Sequence, residues 1–289
     1  MHDGRLIRSL RISKKLTQAE LAEGICSKTS LVGLEKGTVR KIAFTTLQAI
    51  LVRLNVSLAE YEVLRHRLEE PTKSKRTRRL LSKVQEENFD PYKEVGNNRK
   101  RFKQTGDLYY LVLNIHMFLK TDSQLQKELQ FEFLRYECKK IEDYFMRIQE
   151  YSQFEMTILA ELPFLFSESF IESNYVKIKK RMRNFSLTNN PDQYMDLFLL
   201  NLTTHYIAKK RFKKARNVND DLARSLAAKA KNLIIYETLM MNYQKQLILV
   251  GLGELIDEDE CNQLFSVLEY SLGREQRRQL EEQFRVLLP

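Results

Sequence analysis

The stretch "LTQAELAEGICSKTSLVGLEKG", residues 16–37, decides the fold at the start of the chain. Its residues 17–20, Thr-Gln-Ala-Glu, form a capping box that begins a short helix, and Gly24 ends that helix. A second helix is expected from about Ser27 or Lys28 to Lys36, and Gly37 stops it. The sequence therefore predicts two short helices separated by a tight turn.

The rest of the chain also favours helix. The 289 residues contain five prolines and nine glycines, and 43% of them are hydrophobic, which is enough for more than one core. Residues 1–70 contain five short segments with helical periodicity. From residue 107 onward, apolar residues recur at steps of three and four, as in long amphipathic helices. Breaks near residues 121, 167, 210 and 257 are typical of stacked helical hairpins, although no TPR consensus is present.

We therefore predict an all-α chain of three parts. A five-helix domain is expected over residues 1–70, and a basic linker with a loop or loosely helical joint over 71–106. A right-handed, TPR-like helical-repeat array is expected over 107–289.

Positive charge is concentrated in the first third of the chain. Residues 1–70 carry 12 Lys/Arg against 8 Asp/Glu, a net charge of +4, and residues 71–106 carry 11 against 4, a net charge of +7. The remaining residues carry 25 against 26, a net charge of −1. This asymmetry predicts a polyanionic partner for the first third.

Composition also limits the class of protein. Three cysteines lie far apart, so neither a disulfide framework nor a metal site is predicted. The sequence has no secretory h-region and no apolar run long enough to span a membrane. Four dispersed histidines and the lack of P-loop, HExxH, GxGxxG or Ser-His-Asp patterns argue against catalysis. We expect a cytoplasmic protein that is not an enzyme, has no cofactor and does not contact membranes.

The opening stretch resembles the helix-turn-helix of the phage-repressor-like (XRE) class. The matching residues are Thr17-Gln18, Leu21-Ala22 and Leu34-Glu35-Lys36-Gly37. In such motifs the N-terminal side chains of the second helix enter the major groove. The sequence departs from the class at Val32 and at Gly33, where a glycine weakens the helix by up to about 1 kcal/mol relative to alanine.

The resemblance implies a DNA-binding surface. We expect base contacts from the start of the second helix and phosphate contacts from Gln18 at the start of the first, and Glu35 is expected to be structural. One such domain binds weakly at physiological salt, so a homodimer on double-stranded DNA with two half-sites is expected. The expected base-reading residues are Ser27, Lys28, Thr29 and Ser30, and the further backbone contacts are Lys36, Arg40 and Lys41.

The order of XRE domain, basic linker and helical body resembles the Rgg/GadR/MutR regulators, within the wider group of peptide-pheromone-responsive regulators that includes the PlcR type. The resemblance implies a transcription regulator controlled by a short signalling peptide, as in quorum sensing. Family members hold the peptide backbone with an asparagine. "LLNLTTHYIAKKRFKKA", residues 199–215, is similar to that region and puts Asn201 in this role, while Leu159 stands where a second clamp is usual. The alternative is that Asn201 faces solvent or satisfies a neighbouring helix.

A basic cluster lies near this asparagine in sequence. Residues 177–216 carry 11 Lys/Arg against two Asp. If Lys180, Arg183 and Lys209 line the groove beside Asn201 and His205, an acidic peptide is favoured. The alternative is that these cations lie on the convex face.

Two other functions stay open at this point. One is an XRE repressor whose body only dimerises or binds a protein partner. The other is a helical scaffold or RNA-binding adaptor in which the first domain packs against protein and the basic linker contacts RNA. Protection of two half-sites in a footprint distinguishes a DNA reader from such an adaptor.

Overall fold

The computed structural model describes residues 2–39, 41–68, 72–84, 86, 88–120, 133–184, 193–227, 229 and 235–287. These residues form sixteen α-helices and one 3-10 helix and contain no strand, which confirms the all-α prediction. The α-helices are α1 His2–Ser13, α2 Gln18–Ala22, α3 Lys28–Lys36, α4 Phe44–Arg53, α5 Leu58–Leu68, α6 Thr72–Lys83, α7 Pro91–Thr105, α8 Tyr109–Leu119, α9 Arg135–Arg147, α10 Gln153–Glu161, α11 Glu168–Asn184, α12 Gln193–Ala208, α13 Phe212–Ala227, α14 Ile235–Gly251, α15 Glu258–Leu272 and α16 Arg274–Leu287; the 3-10 helix is Pro163–Leu165.

The chain divides into two compact units. The first comprises Met1–Tyr92 with His116–Asp122, and the second comprises Lys93–Ile115 with Ser123–Pro289. Among the helices just named, none combines the length and the apolar character needed to cross a bilayer.

Helices α1–α5 enclose the core of the first unit and confirm the five short helices predicted there. The capping box predicted for α2 is present: the hydroxyl of Thr17 accepts from the backbone N–H of Glu20, and the carboxylate of Glu20 accepts from that of Thr17. Ser57 caps α5: its hydroxyl accepts from the backbone N–H of Glu60. The core side chains are Leu6, Ile7, Leu21, Ala22, Leu31, Leu34, Ile50, Leu51, Leu54, Val56 and Tyr61.

A glycine sets the distance between α1 and α3. A Cβ atom added at Gly4 would lie 1.9 Å from the carbonyl oxygen of Leu34, a backbone atom inside α3. Since helix backbone cannot move aside independently, the two helices can lie this close only while residue 4 is glycine.

We therefore expect Gly4→Ala to destabilise the first unit by about 1–3 kcal/mol, the usual cost of overpacking. Gly33→Ala is the matched control. Its added Cβ would meet the side chain of Val39 at 2.8 Å, and that side chain is 40% exposed and can shift. Thermal unfolding measures the stability of both variants, and hydrogen exchange assigns the transition to α1–α5. A melting temperature of Gly4→Ala at or above that of Gly33→Ala contradicts this packing.

The basic linker and joint are largely helical. The stretch from residue 90 to 107, expected to be a loop or a loosely helical joint, forms the fifteen-residue helix α7. Its Val95 and Asn98 are fully buried, which explains why a polar sequence with a glycine and two asparagines is helical: tertiary contacts outweigh its weak propensity. The division at residues 70 and 106 remains a prediction.

Helix α12 forms the centre of the second unit. It packs against α10, α11, α13 and α14, and its Phe198, Leu199 and Leu202 are fully or almost fully buried. Asp196 near its start forms an ion pair with Lys229, which follows the end of α13, so α12 and α13 form an antiparallel hairpin. Among the described residues, α12 packs on α13 and α14 packs on α15, and these two pairs follow one another along the chain, as expected for stacked hairpins.

Candidate nucleic-acid interface and peptide site

The start of α3 presents four exposed side chains. Residues 27–30 are all exposed, whereas Leu31 and Leu34 are buried and hold the helix on the core. Ser27 caps the helix by accepting from the backbone N–H of Ser30 at 3.1 Å, and the two hydroxyls lie 2.7 Å apart. The cap gives the first turn a fixed geometry, so Lys28 and Thr29 project from a well-defined platform.

A buried carboxylate ties α3 to the rest of the unit. Glu35 is 4% exposed and receives two hydrogen bonds from Arg11, Nε to Oε1 at 2.7 Å and Nη2 to Oε2 at 2.9 Å. Arg11 also donates through Nη1 to the carbonyl oxygen of Leu16. The prediction that Glu35 is structural is confirmed. The role of Arg11 was not predicted, because its partner Glu35 lies 24 residues away in sequence.

Gln18 belongs to the same network. Its side-chain Nε2 donates to Oε2 of Glu35 at 2.8 Å, and the residue is half-buried. Burial alone would raise the pKa of Glu35, but the hydrogen bonds from Arg11 and Gln18 and the charge of Arg11 outweigh burial and lower it. The expected phosphate contact of Gln18 stays a prediction; the structure shows that its amide also helps to position α3.

The remaining residues expected to contact DNA lie at the last position of α3 and just after it. Lys36 and Lys41 are exposed, and Arg40 lies outside the described residues. Gly33, which the sequence suggested would weaken α3, supports the turn that follows: its carbonyl oxygen accepts from the N–H groups of Thr38 and Val39 and from the hydroxyl of Thr38.

The candidate peptide residues separate into two groups. Asn201, His205 and Lys209 follow one another at intervals of four, so they share one face of α12 and its C-terminal turn. Lys180 and Arg183 are exposed on α11, and Lys180 lies opposite to the core-facing side of that helix. The structure brings the first three together and does not place the two α11 cations among them.

Asn201 is engaged with a neighbouring helix. Its Nδ2 donates to the carbonyl oxygen of Ala160 at the end of α10, at 2.8 Å, and the residue is half-buried. This is one of the two alternatives that the sequence left open. An amide has two N–H groups and a carbonyl oxygen, so this single bond does not use all of its hydrogen-bonding capacity.

A second amide, not singled out from the sequence, lies beside it. Gln244 on α14 is 2% exposed and donates through Nε2 to the carbonyl oxygen of Leu200 and the hydroxyl of Thr204, both at 2.8 Å. Asn201 and Gln244 thus connect α12 to the helices on either side of it. The sequence around Gln244 does not indicate that its hydrogen-bond partners lie forty or more residues away.

Comparisons with known proteins fit this architecture. Residues 7–61 match the helix-turn-helix family, and residues 90–282, more than half of the chain, match the C-terminal domain of the HTH-type transcriptional regulator Rgg. The chain belongs to the Rgg family of transcriptional regulators. This match confirms the predicted family. It also confirms the prediction that the chain is not an enzyme, because an Rgg protein is a transcriptional regulator.

Solved structures share the fold of this Rgg protein along its whole length. A transcriptional regulator from Listeria monocytogenes EGD-e has 20% identity and a TM-score of 0.71, with 98% of this chain and 96% of that chain covered. The SHP pheromone receptor Rgg2 of Streptococcus dysgalactiae has 16% identity and a TM-score of 0.66, with 98% of each chain covered. PrgX in its complex with cCF10 has 18% identity and a TM-score of 0.66, with 99% of each chain covered. Among curated proteins, none was found to match.

Proposed function

We propose that the chain is a homodimeric, cytoplasmic transcription regulator that reads DNA through the start of α3 and responds to a short peptide bound by its helical body. In this proposal residues 1–70 bind DNA, residues 71–106 link, and residues 107–289 bind the peptide and dimerise. The observation that carries it is the capped, exposed first turn of α3 on a rigid core, in a chain of the Rgg family.

Lys28 and Thr29 are the proposed base readers. Both are exposed at the N-terminal end of α3, the part of a recognition helix that contacts base edges. The hydroxyls of Ser27 and Ser30 bond to each other, so a base must compete with that bond. Gln18, Lys36, Arg40 and Lys41 are proposed to contact phosphates, which position the protein without specifying sequence.

Dimerisation follows from the energetics of binding. A single DNA-binding domain of this size makes few phosphate contacts, and its affinity for DNA falls steeply with salt. In a dimer joined through the helical-repeat domains, the second DNA contact becomes intramolecular. Footprinting is the test: protection of two half-sites about one helical turn apart, or a multiple of it, supports the proposal. Sequence-blind protection would favour the RNA or scaffold alternative.

Asn201 is the proposed anchor for the peptide backbone. Two relatives of similar fold are described by their ligands, PrgX in complex with cCF10 and Rgg2 as a pheromone receptor, which supports a peptide as the ligand here. Burial, and then the charge of Lys209, lower the pKa of His205, so its ring is neutral at neutral pH. Lys209 is then the proposed source of any preference for an acidic peptide, with Lys180 and Arg183 acting only at longer range.

Control of DNA binding requires that the peptide prefer one conformation of the body. A ligand shifts an equilibrium only by its difference in affinity for the two states. We propose that peptide binding between α10, α12 and α14 changes the relative placement of the two DNA-binding domains in the dimer.

We expect Asn201→Ala to weaken peptide binding roughly tenfold, the effect of losing one or two hydrogen bonds. Calorimetry with synthetic peptides from small secreted reading frames beside the gene measures this. Asn174→Ala is the control: it removes an amide of the same size whose Nδ2 donates to the carbonyl oxygen of Phe170 within α11, so peptide affinity should be unchanged. Equal affinities for wild type and Asn201→Ala would contradict the anchor role.

A further inference from the structure

Helix α6 has an unusual charge composition. Its twelve residues, TKSKRTRRLLSK, contain six Lys/Arg and no acid. The proposed function uses this helix only as part of the linker.

Such a helix is electrostatically costly in isolation. Lys75 and Arg79 are four residues apart on one side, and like charges at this spacing repel. Cations also stand in the first turns of the helix, where the helix dipole favours anions. A nearby polyanion would relieve both costs.

The helix separates apolar from cationic sides. Leu80 is 8% exposed and Leu81 is half-buried, whereas Lys75, Arg78 and Arg79 are exposed. On a helical wheel, Lys75 and Arg78 lie opposite to Leu80. The exposed side therefore carries charge and no large apolar residue, unlike a membrane-binding helix, which needs an apolar face for the bilayer.

We propose that the exposed side of α6 binds the phosphate backbone of the same DNA molecule that α3 reads. This inference rests on the proposed function, because it takes the partner of the first unit to be DNA. Helix α6 lies in the same compact unit as α3. Cations four residues apart are separated by about 6 Å along the helix, and each DNA strand presents a phosphate about every 3.4 Å along its axis, so adjacent cations can each reach a phosphate.

Salt dependence tests this interaction. The full-length protein and the double variant Lys75→Ala/Arg79→Ala are titrated with two duplexes of equal length, one selected by the wild type and one of shuffled sequence, at several salt concentrations. We expect the slope of log affinity against log salt to become shallower by about 1.8 per protomer, about 0.9 for each phosphate that the variant no longer neutralises. Sequence preference should be unchanged, because phosphate contacts do not read bases.

Two further variants make the result decisive. Lys177→Ala/Arg147→Ala removes one Lys and one Arg from exposed positions of α11 and α9 and should leave the slope unchanged. Lys75→Glu/Arg79→Glu should weaken binding beyond the alanine pair, with unchanged helix content by circular dichroism. Equal slopes for wild type and the α6 alanine variant would overturn the inference, even if the wild type is sequence-specific. If the wild type binds the two duplexes with equal affinity, the proposed function is contradicted. In that case, a salt slope that still differs between the wild type and the α6 alanine variant supports the phosphate-binding role of α6.

Discussion

Replacing Glu137 with alanine is expected to destabilise the second unit by about 3–5 kcal/mol, the usual cost of removing one partner of a buried ion pair. Glu137 on α9 is fully buried and accepts from Arg99 on α7, Nε at 2.8 Å and Nη2 at 2.7 Å. It also accepts from Nδ2 of Asn114 on α8 at 2.9 Å, and Asn114 accepts from Asn98 at 2.8 Å. One carboxylate thus joins three helices. Its removal leaves the amide of Asn114 without this acceptor and the guanidinium of Arg99 without its counter-charge, although Nη2 of Arg99 still donates to the carbonyl oxygen of Phe133.

Urea denaturation followed by circular dichroism, with hydrogen exchange to identify α7–α9, measures this destabilisation. Asp143→Ala on the same helix is the matched control, because its pair with Lys139 is solvent-exposed and contributes little. The double variant Arg99→Met/Glu137→Met should recover much of the stability, since apolar groups leave no unpaired charge. A destabilisation in Glu137→Ala no greater than that in Asp143→Ala would contradict the role assigned to this network.

Replacing Glu35 with alanine is expected to have an effect of the same size on the first unit, about 3–5 kcal/mol. Its carboxylate holds Arg11 of α1 and Gln18 of α2 against α3. The substitution should therefore lower DNA affinity as well as stability, because the angle at which α3 is presented depends on this carboxylate. The double variant Arg11→Met/Glu35→Met should be more stable than Glu35→Ala, yet should not restore the position of Gln18.

The same carboxylate predicts a dependence on pH. The pKa of Glu35 is lower in the folded protein than its ordinary value, which is about 4.3. A lowered pKa stabilises the fold at pH values above the ordinary one, and this stabilisation is lost as the pH falls through the folded-state value. The difference in unfolding free energy between wild type and Glu35→Gln should therefore be constant from about pH 6 to 8 and shrink below about pH 4. A difference that grows on acidification would show that Glu35 is not held as a paired carboxylate.

Local signals in the sequence predicted the helix-turn-helix. The capping box at Thr17 and the left-handed glycine that ends α3 each involve residues a few positions apart. The two buried networks were missed because their partners are distant: Arg11 is 24 residues from Glu35, and Arg99 is 38 residues from Glu137. Nothing within one helix period distinguishes a buried arginine from a solvated one.

The candidate peptide site shows the same limit. The family resemblance selected Asn201, and helical spacing places His205 and Lys209 on its face. Charge counting alone added Lys180 and Arg183, but a cluster in sequence need not be a cluster in space. These two residues lie on another helix, and the bonds that set the surroundings of Asn201 come from Ala160 and from the neighbouring Gln244.

The central claim is that the first turn of α3 reads base sequence, and selection from a pool of random duplexes tests it most directly. The full-length wild type should enrich a sequence built of two related half-sites, and Lys36→Ala should enrich the same sequence with lower affinity. Lys28→Ala/Thr29→Ala should lose or change that preference, since a good base contact contributes about 1–3 kcal/mol of discrimination. Enrichment of the same sequence by wild type and by Lys28→Ala/Thr29→Ala, or of none by the wild type, would contradict the account.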